Sequence, residues 1–530
     1  MLSLSSGRGA ALRPSRNWLA PLSNRWVFAA AAAALVATGL VPVLYWGGNL
    51  DAAWYLYVAR RVLAGAHLYR DIIEINPPLI VALSIPPAWL ARALGVMDLV
   101  VYDVATAALA VASVAFSGRL LKHLRGEGND SGRRALLLLF LAALFPIAAA
   151  DFGQREHLLL ALVLPYLCLA AVRSEGVSVP PLAALAAGAM AGVGLGLKPF
   201  YLPLWPALEG YLVLGRHAGP SWRRVETIGI GGILALYALA VVVFAPGYLP
   251  LVGWLGPVYA SLLRQPLVRM VSSADGILPL VAVLAIAATP GAGAWRALRG
   301  VILIAATTSL VAVLLQQKGW SYHYYPSRVE SFVALGVVLL STPPLGLTRA
   351  RAAAVRLTPL LLAADLAVVL VQRGREAVAA GRFERLEVGG QMARLVRRHA
   401  AGRPILGLTV SPTPSFPLVN FSGAEWALRF PSLWMIPALH ARGLWVVQPE
   451  GGPAVRRSPQ QQYLINAVTA DLVTRRPALI LFYAPPWGAP DFVGYFASAD
   501  PRFAAAMRHY HLLADVAGYR FLALGPEERP

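Results

Sequence analysis

Asp51 heads the stretch DAAWYLYVARRVLAGAHLYRDIIEINPPLI, directly behind an apolar run that ends near Trp46. The stretch sets the carboxylates of Asp51, Asp71 and Glu74, the imidazole of His67, three arginines and a Pro-Pro pair beside a run of membrane character. Ionisable groups next to hydrocarbon are costly, so such a set is a site hypothesis from the start. A carboxylate in a partly dehydrated cavity binds its proton more tightly than in water, as a general base for an incoming hydroxyl requires. The competing reading of Asp51 is structural. Asp is a good N-cap for the helix AAWYLYVARRVLAG, and a helix N-terminus favours the ionised form.

A second polar loop, DFGQREH, offers Asp151, Gln154, Arg155, Glu156 and His157 within seven positions. Asp151 or Glu156 would hold an acceptor, orient Asp51 or help to bind a divalent ion, Mg²⁺ or Ca²⁺, although no spacing here identifies a metal. Arg155 pairs with a neighbouring acid in the plainer reading. A third group is cationic and aromatic. Lys198 ends the Gly-rich helix GAMAGVGLGLKPF, Arg264 and Arg269 lie in a long loop, and Lys318, His323, Tyr325 and Arg328 belong to QQKGWSYHYYPSR. Interfacial aromatic belts and snorkelling side chains account for part of this; cations at head-group level would also bind a lipid phosphate and stabilise it as a leaving group.

These groups must be positioned by membrane helices. The chain of 530 residues is 58% hydrophobic and 14% charged, with a mean hydropathy of +0.60. Soluble domains carry about 25% charged residues, so the composition is that of a polytopic α-helical membrane protein. The net charge of +20 falls mostly in short clusters between apolar runs. That distribution fits the positive-inside bias and anionic head groups, with no nucleic acid as partner. Lysine occurs only at positions 122, 198 and 318, and Cys168 is the single cysteine, so neither an intrachain disulfide nor a thiolate metal cluster is available.

Apolar stretches centre near residues 37, 107, 142, 165, 188, 207, 235, 283, 308, 336 and 364, each about long enough for the roughly 20 residues that cross a bilayer. A further stretch, Leu79 to Leu94, decides the sidedness of everything after it. The N-terminal segment with Arg8, Arg13, Arg16 and Arg25 reads as a cytoplasmic tail before a retained first helix. The basic segments at 119–134, 216–224, 296–299 and 349–356 fall on that same side only if 79–94 does not cross. It is therefore expected to be juxtamembrane or re-entrant, with Pro77, Pro78, Pro86 and Pro87 interrupting regular helix. This gives about eleven spanning helices. Asp51, DFGQREH, the 246–275 loop, Lys198 and the 316–328 loop then share the outer side.

Residues 1–372 thus form the membrane part, and 373–530 a soluble α/β domain on the outer side, with PILGLTV, ALILFYA and RFLAL as strands and GRFERLEVGGQMARLVRRHA and QQYLINAVTADLVTRR as helices. The Pro- and Trp-rich 411–437 segment lacks periodicity and is expected to form loops over the membrane cavity. No Gly-rich nucleotide fingerprint appears, so the tail is assigned no cofactor. An outer base facing outer phosphate binders implies displacement of a phosphate-linked group by an acceptor hydroxyl, the donor anchored by its own lipid. A transporter or flippase, for which Tyr102 and Asp103 are the best residues, and a ligase or polymerase using a lipid diphosphate are the other readings.

The segment from Asp51 to Leu79, with YLYVARRVLAGAHLY in its middle and NPPL at its end, resembles the first outer loop of the integral-membrane GT-C glycosyltransferases, particularly bacterial relatives of protein O-mannosyltransferases and lipid A aminoarabinose transferases. FGQREHLLL followed by GLKPFYLPLWP is similar to a helix pair of the polyprenol-phosphate-dependent members. The resemblance covers roughly residues 25 to 370. It implies a polyprenyl-phosphate sugar as donor, a cell-envelope acceptor, a periplasmic active site at the inner membrane and Asp51 as the base. Many relatives have Lys before the Pro-Pro pair where this chain has Asn76, which shifts the expected phosphate contact toward Lys198 or Lys318.

Overall fold

The computed structural model describes residues 17–46, 49–124, 130–215, 223–289, 295–341, 348, most of 352–371, 388–447, 456–484 and 490–525. Expectations that rest on Arg8, Arg13, Arg16, residues 216–222, Arg349, Arg351, Arg356, residues 381–387 and the division at 372/373 lie outside these residues.

The membrane part runs α1 (Arg25–Trp46), α2 (Leu50–Leu63), α3 (Leu79–Leu94), α4 (Asp98–Leu121), α5 (Asp130–Leu144), α6 (Arg155–Ser174), α7 (Pro181–Leu197), α8 (Leu204–Leu214), α9 (Val225–Phe244), α10 (Tyr248–Ser261), α11 (Leu267–Ser272), α12 (Ala274–Ala288), α13 (Arg296–Gln316) and α14 (Ser321–Leu340). Among the described residues five helices are long and apolar enough to cross a membrane, namely α1, α4, α6, α9 and α13. The expected count of about eleven is therefore not reached. Helices α5, α7, α8 and α12 form where apolar spans were expected, but they hold 15, 17, 11 and 15 residues. At 1.5 Å per residue they extend about 16–26 Å, short of the roughly 30 Å hydrocarbon core when upright.

Helix α3 corrects a second expectation. Pro86 and Pro87 sit inside it without breaking it, and Pro78 is its N-cap residue with φ −66°. A proline removes one backbone bond, but its fixed φ is already helical; at the N-terminus the missing N–H has no intrahelical partner to lose. The helix ends at Gly95, whose φ of 66° is the left-handed C-terminal conformation that glycine adopts without steric penalty.

Helix α6 is the axis of the bundle, buried along nearly its whole length. At its far end Arg173 pairs with Glu226 at 2.9 Å, and Tyr166 donates to Glu209 at 2.9 Å. Glu209 also pairs with Arg224. The buried charges thereby neutralise one another and lash α6, α8 and α9 together. Helices α7 and α9 approach more closely than side chains would permit. A Cβ on Gly188 would fall 2.1 Å from the Glu226 carbonyl oxygen, and one on Gly192 would fall 2.8 Å from Ile233 Cβ. Small residues at a four-residue spacing let backbones touch where lipid supplies no hydrophobic drive.

The tail carries a five-stranded sheet in the order β2-β1-β3-β5-β4, where β1 is Pro404–Leu408, β2 Glu425–Trp426, β3 Leu479–Tyr483, β4 Tyr510–Val516 and β5 Tyr519–Leu524. β1 lies parallel to β2 and β3, and β5 pairs antiparallel with β3 and β4. The strands expected from PILGLTV, ALILFYA and RFLAL are β1, β3 and β5. The hairpin partner β4 was not foreseen; its signal was the two-residue turn Ala517-Gly518, with φ of 53° and 83°, the mirror-image turn geometry that matches strand twist. Helices Val388–Ala400 and Pro459–Arg475 coincide with the two expected in the tail, the first only over the described part of its segment.

The tail docks on α2. Tyr57 accepts at its hydroxyl from Trp426 N (2.9 Å) and donates to Trp426 O (3.1 Å), and Asn420 Nδ2 donates to the Ala53 carbonyl at 3.1 Å. Trp54, Tyr57, Phe416 and Trp426 form one aromatic cluster, with ring centroids 5.1–5.9 Å apart.

Gly188→Leu is expected to destabilise the bundle by about 1–3 kcal/mol through overpacking, read as a lowered thermal midpoint in detergent. Gly210, whose Cβ would meet nothing within 4 Å, should accept Ala with no loss; equal losses in the two variants would refute the close α7–α9 contact.

Candidate functional site

Asn49, not Asp51, caps α2. Its Oδ1 accepts from the backbone N–H of Asp51 at 2.8 Å and of Ala52 at 3.4 Å, while its Nδ2 donates to the Ala150 carbonyl at 2.7 Å. The expected capping duty of Asp51 therefore falls to a residue that also ties the start of α2 to the head of the DFGQREH loop. Asp51 sits in the first turn with its carboxylate free of that duty, accepting from Gln154 Nε2 at 3.1 Å. Burial raises its proton affinity above the ordinary carboxylate value, while the Arg155 charge and the Gln154 hydrogen bond pull the other way.

Asp51 opens onto a cavity of about 510 Å³ at the junction of bundle and tail. Its membrane-side wall includes Asp51, Tyr55, Glu74, Asn76, Asp151, Gln154, Arg155, Tyr259, Trp320 and Tyr322, and its tail-side wall is Val410, Ser411, Pro412, Pro431, Ser432, Trp434 and Pro437. The aperiodic 411–437 segment thus lies over the cavity, as expected, though it contains helix Ser415–Ser422 and strand β2 as well as loops. The DFGQREH loop is shaped by Gly153: its φ is 78°, and a Cβ there would meet the Tyr102 ring at 2.9 Å. Tyr102 in turn donates its hydroxyl to the Gly153 carbonyl at 2.6 Å, supporting the loop from behind.

Arg155 reaches the cavity through a chain that starts at Glu74. Buried Glu74 accepts from Trp54 Nε1 through one oxygen and from the Asn76 backbone and side chain, both at 2.7 Å, through the other. Burial raises its proton affinity, and these hydrogen bonds oppose the rise. Asn76 Oδ1 then accepts from Arg155 Nη1 at 2.7 Å. Arg155 Nε is buried and has no hydrogen-bond partner among the described residues, and its guanidinium lies 5.9 Å from the Tyr55 ring centroid. At the position where the resembling family often carries Lys, this chain has an amide that holds an arginine.

The other expected contacts lie elsewhere. Glu156 is turned into the bundle, paired with Lys198 and 3.7 Å from His323 Nε2. Lys318 donates to the Tyr259, Ala260 and Leu262 carbonyls at the end of α10, and burial pushes its ammonium down to about 8. Arg264 donates to Gln317, and Arg269 to Gln265 at 3.2 Å. Tyr325 donates to the Ala143 carbonyl at 2.8 Å, and Arg328 pairs with Asp275 at 3.3 Å. His67 and Asp71 stay outside the cavity. The hydrogen bond from Arg70 holds the Asp71 carboxyl down at about 2, and the Asp71 carboxylate also lies 3.4 Å from His67 Nδ1.

His157 Nε2 donates to the Leu144 carbonyl at 2.8 Å, leaving Nδ1 to accept from Gly153 N at 3.3 Å. Asp103 is buried in α4, away from the cavity lining. Among the described residues no group of three or more His, Cys, Asp or Glu side chains stands together to hold a metal ion.

Asn49, Trp54, Tyr55 and Tyr259 are among the cavity members that residue-type reasoning passed over. Asn49 carried a legible signal, an Asn two residues before the expected cap. The 411–437 segment was expected over the cavity as a whole, but which of its residues line it carried no signal, since Pro, Ser and Val announce no chemistry.

No family model matches the sequence, and no curated protein does. Among solved structures the chain is similar to the crystal structure of ArnT from Cupriavidus metallidurans bound to undecaprenyl phosphate, with a TM-score of 0.54 and 12% sequence identity over 97% of this chain and 100% of that one. At that identity the likeness concerns the fold alone: a polytopic helical bundle with a β-containing domain at its C-terminus.

Proposed function

We propose that this protein is an inverting glycosyltransferase of the inner membrane, moving a sugar from a polyprenyl-phosphate donor to a hydroxyl of a cell-envelope acceptor at the periplasmic face. The observation that carries the reading is one cavity lined by both the Asp51 carboxylate and the Arg155 guanidinium. Its volume of about 510 Å³ is within the range of small-molecule sites. The fold likeness to a protein with bound undecaprenyl phosphate supports the donor class.

In this reading Asp51 takes the proton of the acceptor hydroxyl as its oxygen bonds to the anomeric carbon. The anomeric carbon–oxygen bond to phosphate breaks on the opposite face, so the configuration inverts. The electron pair leaves on the phosphate oxygen, where Arg155 meets the charge. Gln154 orients Asp51, and Asn76 orients Arg155. Of the expected phosphate binders, Lys198 supports the site from below through Glu156, and Lys318 supports it by fixing the end of α10 beside Tyr259. Membrane lipids flank the donor tail. The proposed division is a catalytic membrane part, residues 1–372, and a tail, residues 373–530, that forms the acceptor-side wall.

Asp51→Asn should lower transfer by about 10²–10⁴-fold, the usual contribution of a general base, with normal protein levels in membranes; undiminished glycan product would remove Asp51 from the mechanism. Arg155→Gln should cost about 10²–10³-fold in kcat, whereas Lys318→Gln should lower thermal stability and leave kcat within a few-fold; the reverse order would assign the phosphate to Lys318. Because Asp51 must be ionised, kcat/KM should fall as pH drops through its raised pKa. Gln154→Leu removes an interaction that favours the ionised form, so the acid limb should move to higher pH, and an unmoved limb would argue against Asp51 as the titrating group.

A further inference from the structure

A second cavity, of about 460 Å³, lies between α2, α3, the start of α4 and the tail helix Ser415–Ser422. Arg60, Arg92, Asp98 and Asn420 supply its polar lining, and Leu63 and Met97 are among its apolar residues. It shares no lining residue with the cavity of Asp51. Asn420 places it on the tail side of the bundle, where the positive-inside bias gives no reason for two arginines.

Its charge is specific. Arg60 Nε lies 3.3 Å from Asp98 Oδ2, so these two neutralise each other. Arg92 is exposed and makes no ion pair among the described residues. The polar set therefore carries one net positive charge, which complements a phosphodiester monoanion. Asn420 is 7% exposed, and its Oδ1 has no hydrogen-bond partner among the described residues although its Nδ2 is engaged by the Ala53 carbonyl. An acceptor left unpaired in this way asks for a donor from a ligand, since burying it unmet is costly. The rim is apolar and open: Leu63 is 38%, Val96 49% and Met97 39% exposed. Val100 and Val104 continue that exposed apolar surface along α4. A charged pocket that runs into an uncovered apolar face matches a lipid, head group inward and acyl chains along α4.

We infer that this cavity holds the head group of an anionic phospholipid, a phosphodiester whose head carries hydroxyl donors, as a resident lipid bridging α2 and α3 to the tail. Arg92 and Arg60 meet the phosphodiester, and a head-group hydroxyl donates to Asn420 Oδ1. The inference does not depend on the proposed transfer reaction, because its test reads lipid retention rather than product.

Full-length protein would be exchanged into vesicles of phosphatidylglycerol or phosphatidylcholine, re-extracted, washed in detergent and examined by native mass spectrometry. Wild-type protein should retain one phosphatidylglycerol per chain and no phosphatidylcholine, whose head has no donor. Arg92→Gln should reduce that retention about tenfold, the scale of one charge-assisted hydrogen bond. Met97→Glu, which cancels the net charge at an exposed position, should do the same, and Arg508→Gln in the tail should change nothing. Equal retention of both lipids, wild-type retention in Arg92→Gln and Met97→Glu, or displacement of phosphatidylglycerol by excess inorganic phosphate would each overturn the lipid assignment.

Discussion

The clamp on helix α2 is the contact on which the rest of the site depends. This helix is too short and too polar to span a membrane, yet its residues from Ala52 to Ala59 are all buried. The bundle and α3 cover part of it, and the tail covers the remainder through Tyr57, Trp54, Phe416 and Trp426. Aromatic burial of this kind fixes position and rotation together, because the Tyr57 hydroxyl is satisfied only when both Trp426 backbone groups face it. Once α2 is held, its N-terminus can point in one direction, and Asp51 goes with it.

Charge in a low-dielectric setting explains why the cavity keeps so few of the ions that surround it. A buried cation needs a partner, and most of the cations around this site have found one inside the protein. Lys198 has Glu156, Arg328 has Asp275, and Lys318 has three carbonyl oxygens. Arg155 differs because its protein contact at Asn76 is a neutral amide. A neutral acceptor orients the guanidinium without cancelling its charge, so that charge remains available to an anion in the cavity.

The tail contributes a wall without ionisable groups, seven residues of Val, Ser, Pro and Trp. Trp434 packs edge-on against Tyr259, with ring centroids 5.4 Å apart, so the wall is stiffened by contact with α10. Opposite it stand the carboxylates and Arg155. The cavity is therefore polar on the membrane side and uncharged on the tail side, an asymmetry that helix and sheet create jointly and neither holds alone.

Much of this was written locally in the chain. Apolar runs long enough for helices, the basic clusters between them and the change of composition before the tail all depend on neighbouring residues, so hydropathy and charge marked the membrane architecture and three strands of the tail sheet. Asp51, Gln154, Arg155 and Asp151 were legible for the same reason: polar groups beside hydrocarbon are conspicuous. Other features depended on distance in space. Whether Asp51 capped its own helix was decided by Asn49 and its tie to Ala150, 101 positions away. Whether a lysine or an arginine stood free was decided by which carboxylates and carbonyls packed against it. The aperiodic 411–437 segment was expected over the cavity, but which of its Pro, Ser and Trp residues form the uncharged wall was decided only where the tail folds back onto α2.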